Sequence, residues 1–135
     1  MLKLIIGIKG TGKTKTLINL VNAASENSNG DVVCIEKGVK LRYDIKYKAR
    51  LIDTEEYFVG DAQSLYGFIA GIFASNHDVT DLFIDSALKI CNNDAAAFDT
   101  FVEKVAALSD KVNVKITMTS SIPVEEASET VNKYI

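Results

Sequence analysis

Five residues near the start of the chain have the types and the spacing that a polyphosphate requires. The pattern G-x-x-x-x-G-K-[ST] is met by Gly7, Gly12, Lys13 and Thr14, with Gly10 inside it. Glycines allow backbone conformations that a Cβ atom would forbid, so several N–H groups can point into one concavity. Lys13 could then reach the β- and γ-phosphates, and the Thr14 hydroxyl could bind Mg²⁺. The pattern therefore predicts a phosphate-binding loop.

The residues around this loop supply the structural context that the pattern needs. Residues 2–6 form a short apolar run of strand type, and apolar residues recur at helical spacing from Leu17 to Ala24. A helix that starts near Gly12 adds unpaired N–H groups and the positive end of its dipole. Three more candidates for nucleotide contact lie in the loop and the first helical turn: Lys9, which also fits a solvent-facing lysine, Thr11 and Lys15.

The composition limits the class of protein. The chain has 135 residues, of which 47% are hydrophobic and 24% charged, which predicts one globular domain over residues 1–135. No apolar run has the length of a membrane span, and the N-terminal run is too short for a signal peptide, so we expect a cytoplasmic protein. Cys34 and Cys91 form no CxxC pair, and with His77 they are too few for a structural zinc site, so we expect buried free thiols.

The charge distribution is uneven along the chain. Residues 1–50 carry ten Lys and Arg against four Asp and Glu, a net of +6, whereas residues 51–135 carry five against fourteen, a net of −9. The end that contains the glycine loop is therefore basic. This asymmetry suits an anionic ligand, but it does not by itself indicate nucleic acid.

The apolar patterns alternate between strand and helix along the chain, which favours a parallel sheet. The predicted strands cover residues 2–7, 31–36, 50–53, 81–85 and 112–119. The predicted helices cover residues 13–26, 62–75 capped by Asp61, 94–110 capped by Asn93, and a short segment whose first turn holds Pro123. We expect an α/β fold of three layers, with a mainly parallel sheet and helices on both faces.

Two segments have more than one interpretation. Apolar and charged residues alternate strictly over 37–50, which indicates an extended edge strand or hairpin arm. Its basic residues and tyrosines could be a solvated face, a lid over a small anionic ligand or, least favoured, a site for single-stranded nucleic acid. The helix over 62–75 is apolar nearly all round. Its Gly67 and Gly71 indicate close helix packing, with contact to a second copy or a protein partner as the alternative.

Asp85 is the second candidate for metal chemistry. It ends an apolar strand downstream of the glycine loop, where an acid can orient Mg²⁺ opposite Thr14; the alternative is an N-cap or loop aspartate. At this point the chain resembles the P-loop NTPase superfamily over most of its length, with a Walker A loop and a Walker B acid. The resemblance implies a P-loop NTPase fold and binding of ATP with Mg²⁺. The residues that carry it are Gly7, Gly10, Gly12, Lys13, Thr14 and Asp85.

The resemblance can be narrowed to one branch. The predicted strand after Asp85 ends in Thr119 and Ser120, which is similar to P-loop ATPases whose strand with a polar sensor end lies between the Walker A and Walker B strands. The chain also resembles small bacterial ATP-binding proteins without assigned activity, sometimes labelled after the twitching-motility ATPase. The pilus motor itself is far larger than 135 residues.

The residue that would activate water is missing from its usual place in that branch. Ser86 follows Asp85, where a catalytic glutamate often stands. Water activation needs a carboxylate beside the γ-phosphate, and among Glu36, Asp53 and Glu55 we favour Glu36 because strand ends face the ligand crevice. A solvated loop carboxylate is the alternative for Glu36. The predicted catalytic pair is therefore Lys13 and Glu36.

Three functions agree with these residues. The first is an ATP- and Mg²⁺-binding protein whose nucleotide hydrolysis is slow or depends on a partner. The second is a small-molecule kinase of the nucleoside type, because the order of elements, with Arg42-Tyr43 in the basic segment, is similar to that of thymidine kinase. The third is a non-catalytic interaction protein that a bound nucleotide regulates. A nucleoside triphosphate is the expected ligand, with a nucleotide or a phosphate as the regulatory ligand of the third function, and neither nucleic acid nor a membrane is an expected partner.

Overall fold

Five parallel strands form the centre of the protein. The computed structural model describes residues 1–135, and its strands pair in the order β1-β5-β4-β2-β3, every pair parallel. The carboxyl ends of all five strands therefore lie along one edge of the sheet. The strands are β1 (Leu2–Gly7), β2 (Asp31–Glu36), β3 (Ala49–Asp53), β4 (Val79–Ile84) and β5 (Lys115–Ser121).

Helices cover both faces of this sheet, which confirms the expected three-layer α/β fold. The α-helices are α1 (Lys13–Asn27), α2 (Ala62–Ser75), α3 (Ala87–Ile90), α4 (Ala95–Val112) and α5 (Glu129–Asn132), with 3₁₀ turns at 54–57 and 124–126. On one face, α1 buries Leu17 and Val21 against the sheet. On the other face, α2 and α4 pack against each other, and the larger apolar cluster lies between them and the strands.

The strand order places β5 between β1 and β4, as the resemblance implied. The loop after β1 and the acid after β4 are therefore separated by the polar end of a single strand. Ser121 at the end of β5 is opposite Gly7 at the end of β1, and Ile84 at the end of β4 is opposite Met118. The residues that follow β1 and β4 consequently come close to each other above β5.

The prediction of an extended arm over 37–50 is wrong for residues 37–48, which form turns. Leu41 and Ile45, four residues apart, are both buried against α1, so the segment coils to bring them onto one side. Asn22 of α1 stabilises these turns, since its amide donates to the Asp44 carbonyl and its oxygen accepts the Lys46 N–H, each at 2.9 Å. The burial of two residues against α1 therefore overrides the alternating pattern.

The helix over 62–75 is confirmed, but the prediction that Gly67 and Gly71 mediate close packing is wrong. The buried side of α2 is formed by Leu65, Ile69 and Phe73. Both glycines lie on the exposed side, where a Cβ atom would meet nothing within 4 Å. The aromatic and aliphatic residues on either side of the buried face are partly buried against the core, which accounts for the apolar character of the helix nearly all round.

Most predicted element ends agree with the structure to within two residues, and the larger differences lie around α4, β5 and the last helix. Asp94, and not Asn93, caps α4, because its carboxylate accepts the Ala97 N–H at 3.1 Å. This helix continues to Val112, so β5 begins at Lys115 instead of 112. After Pro123 there is a 3₁₀ turn, and the last helix starts at Glu129.

Both cysteine thiols are free and buried, as expected. The structure contains no helix with the length and apolar character needed to span a membrane.

Candidate functional site

The loop between β1 and α1 is closed by its own side chains. Gly10 and Gly12 have φ angles of 87° and 83°, in the left-handed region that favours glycine. The Thr11 hydroxyl donates to the Ile8 carbonyl at 2.8 Å and closes the turn. A Cβ atom at Gly7 would lie 2.8 Å from that hydroxyl oxygen, so a larger residue there would displace Thr11. The spacing of the glycines therefore matches the geometry of the loop.

The Lys13 side chain folds back over this loop. Its ammonium group donates to the Ile8 carbonyl at 2.8 Å, so it lies above the backbone that the glycines shape. Lys13 is also the first residue of α1, and the unpaired N–H groups of the first turn point to the same space. A positive charge and several N–H donors thus converge at one place, which is the arrangement that binds phosphate.

Asp85 and Thr14 meet next to the loop although 71 residues separate them in sequence. The Thr14 hydroxyl donates to a carboxylate oxygen of Asp85 at 3.1 Å. The Asp85 backbone is fixed by its N–H, which donates to the Ile35 carbonyl of β2 at 2.9 Å. One hydroxyl oxygen and one carboxylate are hard oxygen donors of the kind that Mg²⁺ prefers. The structure therefore brings the two predicted metal-binding residues, Thr14 and Asp85, into contact.

Thr119 at the end of β5 holds Asp85 from the other side. Its hydroxyl donates to Asp85 Oδ1 at 2.8 Å and accepts the Ser86 N–H at 2.8 Å. Thr119 is only 1% exposed, whereas Asp85 and Ser86 are half-buried, so both hydrogen bonds are partly buried. Thr119 was not among the predicted site residues. The signal for it was present, because the strand ends in polar Thr-Ser-Ser where an apolar strand needs no hydroxyl.

Ser86 has an unusual backbone conformation directly after the acid. Its φ of 57° is in the left-handed region, which costs a non-glycine residue about 1–2 kcal/mol. The conformation turns its N–H towards Thr119, and its hydroxyl lies 3.5 Å from Asp85 Oδ2. This position therefore orients Asp85 and supplies no carboxylate for water activation.

Glu36, the predicted catalytic carboxylate, is buried at the end of β2. Its two oxygens accept the Leu41 N–H at 3.1 and 3.3 Å. Burial raises the pKa of Glu36, hydrogen bonds from Leu41 and Lys40 oppose this, and the nearby charges of Asp85 and Asp53 add to it. The side chain lines a neighbouring cavity of about 430 Å³, together with Arg42. The structure thus brings Lys13, Thr14 and Asp85 together and turns the Glu36 carboxylate towards segment 37–48.

The cavity above the loop has a volume of about 530 Å³ and is strongly basic. Asp85 is the one acidic residue in its lining, which also includes Thr119 and Ser86. Two of its lysines, Lys40 and Lys89, were not predicted as site residues. The lysines that line it are Lys9, Lys13, Lys15, Lys40 and Lys89.

The fold is similar to that of a KaiC-like protein from the hyperthermophilic archaeon Pyrococcus horikoshii, known from its crystal structure. The TM-score is 0.72 at 17% sequence identity, and the match covers 98% of this chain and 66% of the archaeal protein. The chain therefore spans about two thirds of that protein's length. No protein-family model and no curated protein matches the sequence. The similarity establishes the shared fold, so function has to be argued from the site.

Proposed function

We propose that residues 1–135 form a single P-loop domain that binds ATP with Mg²⁺ and hydrolyses it slowly or only with a partner. The observation that carries this proposal is the contact between the Thr14 hydroxyl and the Asp85 carboxylate beside the glycine loop. A strand, a loop and a helix N-terminus alone would bind many anions. A hydroxyl and a carboxylate at the same place add the ligand types that Mg²⁺ needs. The fold shared with a KaiC-like protein agrees with this proposal.

Each residue of the proposed site has a distinct role. We assign the loop N–H groups and Lys13 to the β- and γ-phosphates, Thr14 and Asp85 to Mg²⁺, and Thr119 to the orientation of Asp85. Mg²⁺ would neutralise the charge that develops on the phosphates. The remaining nucleotide-contacting candidates, by their place in the loop and in the first turn of α1, are Gly7, Lys9, Gly10, Thr11, Gly12 and Lys15.

Slow hydrolysis is expected because neither position that could hold a catalytic carboxylate, residue 86 or residue 36, offers a free one. Ser86 stands directly after Asp85 and supplies no base. We propose Glu36 as the group that accepts the proton of the attacking water, because its raised pKa brings it closer to the working pH. In the structure its oxygens are occupied by the Leu41 N–H, so it must change its hydrogen bonds first. A partner that moves segment 37–48 would release Glu36 and accelerate turnover.

The test of this proposal is nucleotide binding by the purified chain, measured by calorimetry and thermal unfolding. Wild type is expected to gain stability with Mg-ATP, while Lys13→Ala and Asp85→Asn are expected to lose most of that gain. Lys48→Ala, which removes the same charge from a residue outside the cavity, is the matched control. A wild-type protein whose unfolding temperature ignores Mg-ATP would refute the proposal.

A nucleotide-regulated interaction protein without turnover is the second candidate. It is favoured by the exposed side of α2, where Gly67 and Gly71 have no neighbour, a face that a protein partner or a second copy could cover. Light scattering with and without Mg-ATP distinguishes the two candidates when it is combined with phosphate release. Nucleotide-dependent assembly without release would favour the second. For either candidate we propose the reducing cytoplasm, since Cys34 and Cys91 are both free.

A further inference from the structure

Two lysines outside the loop, Lys40 and Lys89, also line the cavity above it. Lys40 belongs to segment 37–48, which follows β2, and Lys89 belongs to α3, which follows β4. Neither residue is part of the loop motif. With Lys9, Lys13 and Lys15, five lysines line a cavity in which Asp85 is the one acidic residue. This excess of positive charge is larger than a loop with one motif lysine requires.

On the basis of the proposed function, we propose that Lys40 and Lys89 contact the terminal phosphate of a bound nucleoside triphosphate. The strand order supports this geometry, because the loop follows β1, Asp85 follows β4 and Lys40 lies beyond β2. Along the cavity the order is therefore loop, metal-side acid, and then Lys40. A polyphosphate that is held by the loop and passes Asp85 ends at the part of the cavity that Lys40 lines. The two lysines then distinguish a triphosphate from a diphosphate.

The backbone at Lys40 is fixed, so its side chain extends from a defined position. The next residue, Leu41, is 3% exposed and anchors the segment against α1. Its N–H donates to the Glu36 carboxylate at 3.1 Å. Glu36 is thus also a positioning residue for Lys40, since it holds the turn from which that lysine projects.

No arginine lines this cavity, so its positive charge comes from lysines alone. The chain has two arginines, Arg42 and Arg50, and both line the neighbouring cavity with Glu36. Stabilisation of the γ-phosphate often comes from an arginine supplied by the same chain or by a partner. Here Lys40 and Lys89 of the same chain take that position.

The test compares the affinities for Mg-ATP and Mg-ADP by calorimetry. Lys40→Ala is expected to weaken Mg-ATP binding about fivefold, the value for one partly exposed charged contact. Its affinity for Mg-ADP should change less than about twofold, because ADP lacks the terminal phosphate. Lys40→Arg keeps the charge and is expected to retain the preference for ATP. Lys48→Ala, in the same segment but outside the cavity, is the charge-matched control.

The outcomes separate this inference from the proposed function. Equal losses for ATP and ADP, unchanged affinity for both, or an equal effect of Lys48→Ala would overturn the role of Lys40. Suppose that wild type binds ATP and Lys13→Ala does not. If the double variant Lys40→Ala/Lys89→Ala then has the wild-type ratio of ATP affinity to ADP affinity, only this inference fails. If wild type binds neither nucleotide, the proposed function fails with it.

Discussion

Replacement of Thr119 by valine tests how the site holds Asp85, the proposed Mg²⁺ ligand. Valine has nearly the same shape, so the change removes one hydroxyl and little volume. That hydroxyl, 1% exposed, donates to Asp85 Oδ1 and accepts the Ser86 N–H, both at 2.8 Å. A hydrogen bond to a charged group contributes about 1.5–3 kcal/mol, and a buried N–H left without a partner costs about 1–3 kcal/mol. Relaxation and water entry reduce the sum, so we expect a loss of about 2 kcal/mol.

That loss has a measurable size in thermal unfolding. For a domain of this length, 1 kcal/mol corresponds to about 3–5 °C in Tm, so Thr119→Val should unfold roughly 6–10 °C below wild type. Thr117→Val is the matched control. Thr117 lies two residues earlier on the same strand and the same face, and its hydroxyl makes no side-chain hydrogen bond to protein. We expect its Tm to stay within about 2 °C of wild type.

The same variant also tests the function of the contact. A residue that orients a metal ligand typically contributes about tenfold or more to metal affinity. Thr119→Val should therefore need about ten times more Mg²⁺ for half-maximal ATP binding, whereas Thr117→Val should not. A Thr119→Val protein with the stability and Mg²⁺ requirement of Thr117→Val would refute the reasoning. A protein that loses stability alone would limit Thr119 to a structural role.

Two further substitutions address Glu36 and Phe58. The pKa of Glu36 is raised above 4.5 by burial, so the folded state binds its proton more tightly, and this group lowers stability as pH rises through 4.5 towards the folded pKa. Glu36→Gln, whose amide oxygen can still accept the Leu41 N–H, should therefore gain stability relative to wild type between pH 4 and pH 7, measured by urea unfolding. The same variant should bind ATP normally but have no ATP turnover. A constant stability difference across that range, or unchanged turnover, would contradict the prediction. Phe58 has a φ of 58° and is 93% exposed, so Phe58→Asn should raise stability by about 1 kcal/mol through relief of left-handed strain, with unchanged nucleotide affinity. An unfolding temperature at or below that of wild type would show that the ring contributes a contact that outweighs this strain.

The glycine loop could be predicted because its determinants are local. Gly10 and Gly12 take the left-handed conformations that their positions indicate, and Lys13 starts the helix there. The meeting of Thr14 and Asp85 was also predictable, since parallel strands bring their carboxyl ends to one edge of the sheet. Both inferences needed only the pattern and the geometry of a parallel sheet.

The rest depended on contacts between distant segments. Leu41 and Ile45 are apolar positions of an alternating run, which predicts an extended segment. Both pack against α1 instead, and the alternating pattern does not indicate that contact. Gly67 and Gly71 could not be assigned to a face of the fold because the sequence does not say which side of an apolar helix is covered. The basic residues of 37–50, Lys40 among them, were considered only together as a possible lid, because an extended arm does not show which of them lines the cavity above the loop.

Segment 37–48 has a consequence for protein engineering. Its anchors are two buried aliphatic side chains, the amide of Asn22, the carboxylates of Glu36 and Asp53, and an ion pair between Lys46 and Glu26. Its tyrosines, Tyr43 and Tyr47, are more than 90% exposed and make no contribution to the core. A library that keeps the anchors and varies the exposed positions could give the same fold new ligands or partners.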